Sequence, residues 1–145
     1  PEASHEEVLE AARTADLHEN IKNFPEGYKT KVGEREITLS GGQKQRVSIA
    51  RAVLKAPQLL VFDDCLSAVD TETEESILKN LKKVMQKRSA LIISHRASSV
   101  KHADYILVLD HGKVVEEGKP SDLLAKESGF YYDLYQQQLK EESVG

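Results

Sequence analysis

The sequence predicts an α/β fold, and three observations carry that expectation. Short uninterrupted apolar runs, "LLVF" (59–62), "ALII" (90–93) and "YILVL" (105–109), have the length and composition of buried strands. Before and between them, apolar residues recur every three or four positions, the period of a helix packed along one side. A helical segment separates the first two runs, as a parallel pair requires, because parallel strands need a long crossover connection.

The elements follow in order. Ser4 with Glu7 makes a capping box ahead of Val8, Leu9 and Ala12, which predicts a helix over 4–15, and a second short helix is expected at 17–23. "FPEGYKTKVGERE" (24–36) carries Pro25, Gly27 and Gly33 and reads as an irregular connection. From Gly42 to Lys55, Val47, Ile49, Ala50, Val53 and Leu54 cover much of a helix circumference, so this helix is expected to pack on several sides until Pro57 ends it. Ile77, Leu78, Leu81, Val84 and Met85 set a helix within 71–87. "KVVEEG" (113–118) is expected to pair with 105–109 across Asp110-His111-Gly112, as a hairpin at the edge of a sheet covered on both faces. Tyr131, Leu134, Tyr135 and Leu139 form the stripe of a last helix packed on the body. The organisation expected is a mainly helical part (1–57), an alternating strand and helix part (58–127) and a C-terminal helix with its tail (128–145), without internal repeats.

A chain of 145 residues with 39% hydrophobic and 30% charged residues reads as one soluble globular domain. Its 20 basic and 24 acidic residues leave a net charge of -4 with no basic stripe, so nucleic acid is not an expected partner. The single cysteine, Cys65, excludes an internal disulfide and reads as a packing residue. There is no signal-like segment and no apolar stretch near eighteen residues, which predicts a cytosolic chain. The first residue is proline and a helix signal follows at once, so the sequence is expected to be a piece of a longer protein.

In an open α/β sheet, ligands bind beyond the carboxyl ends of the strands. "LLVF" is followed by Asp63 and Asp64. One carboxylate there can hold Mg²⁺ beside the phosphates of a nucleotide, and its neighbour can orient or deprotonate a water; alternatively both cap the following turn. "ALII" leads to Ser94-His95-Arg96, where His95 can either hydrogen-bond a phosphate or serve the structure. Ser40, Gly41, Gly42 and Gln43 stand at a helix N-terminus, where unpaired N–H groups and the positive dipole end favour an anion. Ser40 can add a hydroxyl to that anion or act simply as the N-cap.

These residues are recognisable together. "LSGGQ" (39–43), with "QR" and "ARA" after it, resembles the signature motif of the ATP-binding cassette family, and "LLVFDD" (59–64) resembles its Walker B strand. "SAVD" (67–70) is similar to its D-loop, and His95 in "ISHR" stands where the family has its switch histidine. Four motifs occur in family order and spacing, and the resemblance runs on through "DHGKVVEEGKPSDLL" (110–124) and "YYDLYQQQ" (131–138). "TKVGERE" (30–36) resembles the loop that, in the exporter branch, touches the coupling helices of the membrane domain, although Glu36 stands where that loop usually ends in Gly. This favours an exporter over an importer or a soluble relative of DNA repair or translation.

Two departures shape what the resemblance implies. No G-x-x-x-x-G-K-[ST] phosphate loop occurs, since Gly112-Lys113 and Gly118-Lys119 lack the pattern. The chain therefore looks like the C-terminal portion of a nucleotide-binding domain of the P-loop NTPase type, with its helical subdomain and an incomplete parallel sheet. The missing strand is expected to leave unpaired backbone and exposed apolar side chains that the N-terminal remainder of the domain, or another chain, must cover. By itself the fragment is expected to be inactive. Asp64 stands where the family has a catalytic glutamate; it is shorter by about 1.5 Å, and a misplacement of about 1 Å costs on the order of a hundredfold in rate.

The resemblance implies ATP and Mg²⁺ as cofactors and a second nucleotide-binding domain as partner, a heterodimer being favoured because the Asp64 site is degenerate. In that frame Asp63 holds magnesium, Asp64 weakly activates water and His95 senses the γ-phosphate. Ser40, Gly41, Gly42 and Gln43 would contact nucleotide bound to the partner, and Asp70 would communicate across the dimer. Such a domain sits at the cytoplasmic face of a membrane and couples ATP hydrolysis to export.

Overall fold

The structure, a computed structural model, describes residues 2–145. The chain divides into two compact units, one ending at Ile93 and one running Ser94–Gly145.

The first unit opens with α1 (His5–Thr14), closed by the reciprocal bonds of a capping box: Glu7 N donates to Ser4 Oγ at 3.2 Å and Ser4 N to Glu7 Oε2 at 2.7 Å. A tight corner with Asp16 at φ 56° leads to α2 (His18–Lys22). The irregular connection turns at Gly27, whose φ of 53° a side chain would oppose, and Tyr28 is held to His18 Nδ1 at 2.7 Å. Helix α3 (Gly41–Leu54) follows Ser40, then β1 (Leu59–Asp63), α4 (Thr71–Val84) and β2 (Ser89–Ile93). Helix α3 stops ahead of Pro57 because Ala56 already turns left-handed, at φ 48°.

Strands β1 and β2 pair in parallel, Leu59 opposite Ser89 and Asp63 opposite Ile93, with α4 as the crossover. Leu60 and Phe62 point inward, where they join Ala12, Leu17, Ile49 and Ile77 in one core shared by the helices and β1. The expected cover exists on this face alone. Leu59, Val61, Leu91 and Ile93 remain 46–58% exposed, so the sheet is incomplete in the way the missing strand implied.

The second unit holds β3 (Ile106–Asp110) and β4 (Lys113–Gly118), an antiparallel hairpin. Its two turn residues, His111 and Gly112, have φ of 49° and 73°, the mirror-image turn whose twist suits a hairpin. A short helix α5 (Pro120–Leu124), with proline at its first position, went unread in the sequence because five residues are too few to show a period. Helix α6 (Phe130–Val144) is the expected last helix. Ala97, Ile106, Val108, Leu123 and Tyr131 form this unit's core. Tyr131 donates its buried hydroxyl to Ala97 O at 2.8 Å, and the Gln138 amide both accepts from Ser98 N and donates to Ser98 Oγ. Among the described residues no helix is long and apolar enough to cross a membrane.

Candidate functional site

The start of α3 is built by its own sequence. Ser40 takes extended backbone, accepts Gln43 N–H on its Oγ at 3.2 Å, and gives its own N–H to Gln43 Oε1 at 3.0 Å. Capping uses Ser40 only as an acceptor, and a hydroxyl also has a proton to donate. The cap and the anion-binding reading of Ser40 are therefore compatible. The N–H groups of Gly41 and Gly42 lie in the first turn, which has no intrahelical acceptors, so they stay available to an outside anion.

This helix end abuts the loop that follows β1. A methyl group on Gly42 would stand 2.8 Å from the carbonyl oxygen of Ala68, and one on Gly41 would stand 3.6 Å from the Ala68 Cβ. Gln45 then grips the same loop twice: its Nε2 donates to Ser67 Oγ at 2.9 Å and its Oε1 accepts Ala68 N–H at 2.9 Å. Sequence reasoning missed Gln45. No spacing marks it, since its partners lie 22 and 23 residues away.

Asp70 ends that loop as the N-cap of α4, its Oδ1 accepting Thr73 N–H at 2.9 Å and its Oδ2 the Thr73 hydroxyl at 2.8 Å. The Thr73 backbone N–H, and after it the hydroxyl, hold the Asp70 carboxyl below its ordinary value because both stabilise the charged form. Arg46 bonds the carbonyl of Asp16 and, at 2.9 Å, Asn20 Oδ1, which ties α3 to the α1–α2 corner.

Asp63 and Asp64 occupy the carboxyl end of β1, both exposed. Asp64 donates its N–H to Ile93 O at 2.9 Å, which prolongs the parallel ladder, and adopts φ 51°, a conformation aspartate tolerates better than most residues. Neighbouring Cys65 is half-buried against the core. His95 lies exposed in the second unit, just past β2. Among the described residues no group of three His, Cys, Asp or Glu side chains stands ready to hold a metal. Mg²⁺ needs no such cage, because it is commonly held by one or two carboxylates, with phosphates and waters completing the shell. The exposed strand-end pair Asp63–Asp64 fits that partial donor set.

Fold and site thus define an α/β protein whose ligand-facing groups gather at one helix N-terminus and one strand end. A family model described as ABC transporter matches residues 1–67. The chain is 49% identical over 142 residues to heavy metal tolerance factor 1 of Caenorhabditis elegans, covering 98% of this chain and 18% of that protein. It is 46% identical over 144 residues to the multidrug resistance-like ATP-binding protein MdlA of Escherichia coli, covering 99% of this chain and 24% of that protein. A solved structure of a bacterial Atm1-family ABC exporter with ATP bound matches at a TM-score of 0.84 and 44% identity, over 96% of this chain and 24% of that one. The chain spans 18% to 24% of the length of these curated relatives. It belongs to the ABC transporter family.

Proposed function

We propose that the chain is the C-terminal portion of the nucleotide-binding domain of an ABC exporter, which binds ATP with Mg²⁺ and couples its hydrolysis to transport at the cytoplasmic face of a membrane. The observation that carries this reading is the capped N-terminus of α3. Ser40, Gly41, Gly42 and Gln43 offer a hydroxyl and free N–H groups there, on a chain 44% identical to an exporter solved with ATP bound.

Each residue has a role in this reading. Residues 1–57 carry the signature segment, which contacts nucleotide held by a second nucleotide-binding domain. Residues 58–127 carry the strand-end groups, and 128–145 the closing helix. Asp63 would hold Mg²⁺, which supplies charge neutralisation of the phosphates when bound. Asp64 orients the attacking water, His95 hydrogen-bonds the γ-phosphate and Asp70 faces the partner domain. Contacts to a γ-phosphate exist only before hydrolysis, so they favour the closed dimer in one nucleotide state and release it in the next.

The exposed segment 31–36 is the surface offered to the coupling helices of the transmembrane domain. The exposed face of Leu59, Val61, Leu91 and Ile93 is covered by the N-terminal remainder of the domain. Covering four half-exposed side chains contributes on the order of 1 kcal/mol each.

The test is ATP binding and hydrolysis, with magnesium, by this chain alone and by the full-length protein. Turnover confined to the full-length protein is expected, and tight ATP binding by the chain alone would overturn the reading. A heterodimer with one slow site follows from the short reach of Asp64. Asp64→Glu in the full-length transporter should speed hydrolysis at the site built on Asp63, and an unchanged rate there would rule out reach as its limitation.

A further inference from the structure

The loop between β1 and α4 has two kinds of anchor. Leu66 and Val69 are buried in the core, at 9% and 5% exposure, while Ser67, Ala68 and Asp70 face outward. The outward part is held by hydrogen bonds from α3, and both come from the amide of Gln45. That grip needs the helix to lie close against the loop, and the missing side chain of Gly42 permits it: a methyl there would meet the Ala68 carbonyl oxygen at 2.8 Å.

We propose that Gln45 is a positioning residue that ties the 67–70 loop to the N-terminus of α3, so that an anion bound at Ser40–Gln43 displaces Asp70 with it. The inference rests on the nucleotide-site reading above and adds the route by which occupation of that site is felt at the D-loop.

The route is short and stiff. Ser40 and Gln43 close the first turn of α3, and Gln45 lies two residues beyond Gln43 on the same hydrogen-bonded helix. A shift of the helix end carries the Gln45 backbone with it. The Gln45 amide engages Ala68 N–H, two residues before Asp70, whose carboxylate caps α4. Hydrophobic packing of Leu66 and Val69 is non-directional and tolerates sliding; a paired donor and acceptor 2.9 Å from their partners does not. An amide fits this task because it supplies both a donor and an acceptor from one planar group.

Hydrogen exchange on the full-length transporter, with and without a non-hydrolysable ATP analogue and magnesium, tests the route. In the wild type, nucleotide should slow exchange at 41–44 and change it at 67–70. Gln45→Leu keeps the side-chain volume and removes both bonds. It should speed exchange of the Ala68 amide about fivefold without nucleotide, the factor that one hydrogen bond of ordinary net strength carries, and it should keep the response at 41–44 while losing it at 67–70. Gln45→Glu should restore Ala68 protection, since a carboxylate still accepts that N–H and the Ser67 hydroxyl can turn to donate.

A Gln45→Leu transporter whose 67–70 segment still responds to nucleotide would overturn the proposal, and so would one that loses the response at both segments. A wild type with no response at 41–44 would instead refute the nucleotide-site reading and take the proposal with it. Should Gln45→Leu not fold, Ser67→Ala, which removes one of the two bonds, must weaken the response at 67–70 by itself; a full response would again overturn it.

Discussion

The paired glycines of α3 give the sharpest test of the packing described above. Gly41 and Gly42 are neighbours in one helical turn, neither needs a positive φ, and yet they stand against different atoms of Ala68. A methyl on Gly41 would touch the Ala68 methyl at 3.6 Å, an ordinary contact. A methyl on Gly42 would press on the Ala68 carbonyl oxygen at 2.8 Å, closer than carbon and oxygen approach without bonding. That oxygen belongs to backbone held by Gln45 and by the buried Val69, so it cannot swing aside as a side-chain tip can. Overpacking against such a site costs about 1–3 kcal/mol. Replacing glycine by alanine in a helix returns up to ~1 kcal/mol.

Gly42→Ala should therefore destabilise the chain by about 1–2 kcal/mol, lowering the melting temperature by roughly 3–6 °C for a protein of this size. Gly41→Ala should be neutral or stabilising by up to ~1 kcal/mol. Thermal unfolding of the two variants side by side measures the difference. Equal stabilities, or a more stable Gly42→Ala, would show that α3 and the 67–70 loop do not pack as described.

Three further outcomes are expected. Tyr131→Phe leaves the buried Ala97 carbonyl without its donor and should cost about 1–3 kcal/mol in chemical unfolding. Burial, and after it Tyr135, pushes the Tyr131 phenol from 10.0 up to about 12, so its contribution is full below pH 10 and falls as pH rises toward 12; Tyr131→Phe should lose that alkaline slope. The lowered Asp70 carboxyl works in the opposite sense: its cap contributes above the ordinary carboxylate range and is lost as pH falls through it and below, so Asp70→Asn should flatten the acid limb of the stability profile. Leu60→Ala, at 4% exposure, should cost about 2–5 kcal/mol, whereas Val61→Ser, one residue along and 54% exposed, should stay within about 0.5 kcal/mol by the same denaturant titration.

How much was legible in the sequence follows from the range of the forces involved. The caps at Ser4, Ser40 and Asp70 are bonds across three residues, so the sequence that makes them also displays them. The strands were readable from their apolar runs, and the hairpin from His111-Gly112, because these signals too are local. The resemblance placed Asp63, Asp64 and His95 at strand ends, where β1 and β2 end in the structure. Short elements escaped: α5 has too few residues for periodicity to speak.

What the sequence by itself determined was the α/β class, the order of elements and the residues at their ends, since propensity, capping and turn geometry act between near neighbours. The tertiary structure alone decided which partners those ends meet. Gln45 finds Ser67 across 22 residues, Tyr131 finds Ala97 across 34, and Gly42 admits a carbonyl that no local pattern foretells. It also decided that Leu60 and Phe62 are buried while Leu59 and Val61 lie open. A continuous apolar run predicts burial on both faces, and only the packed chain shows which face its own helices cover.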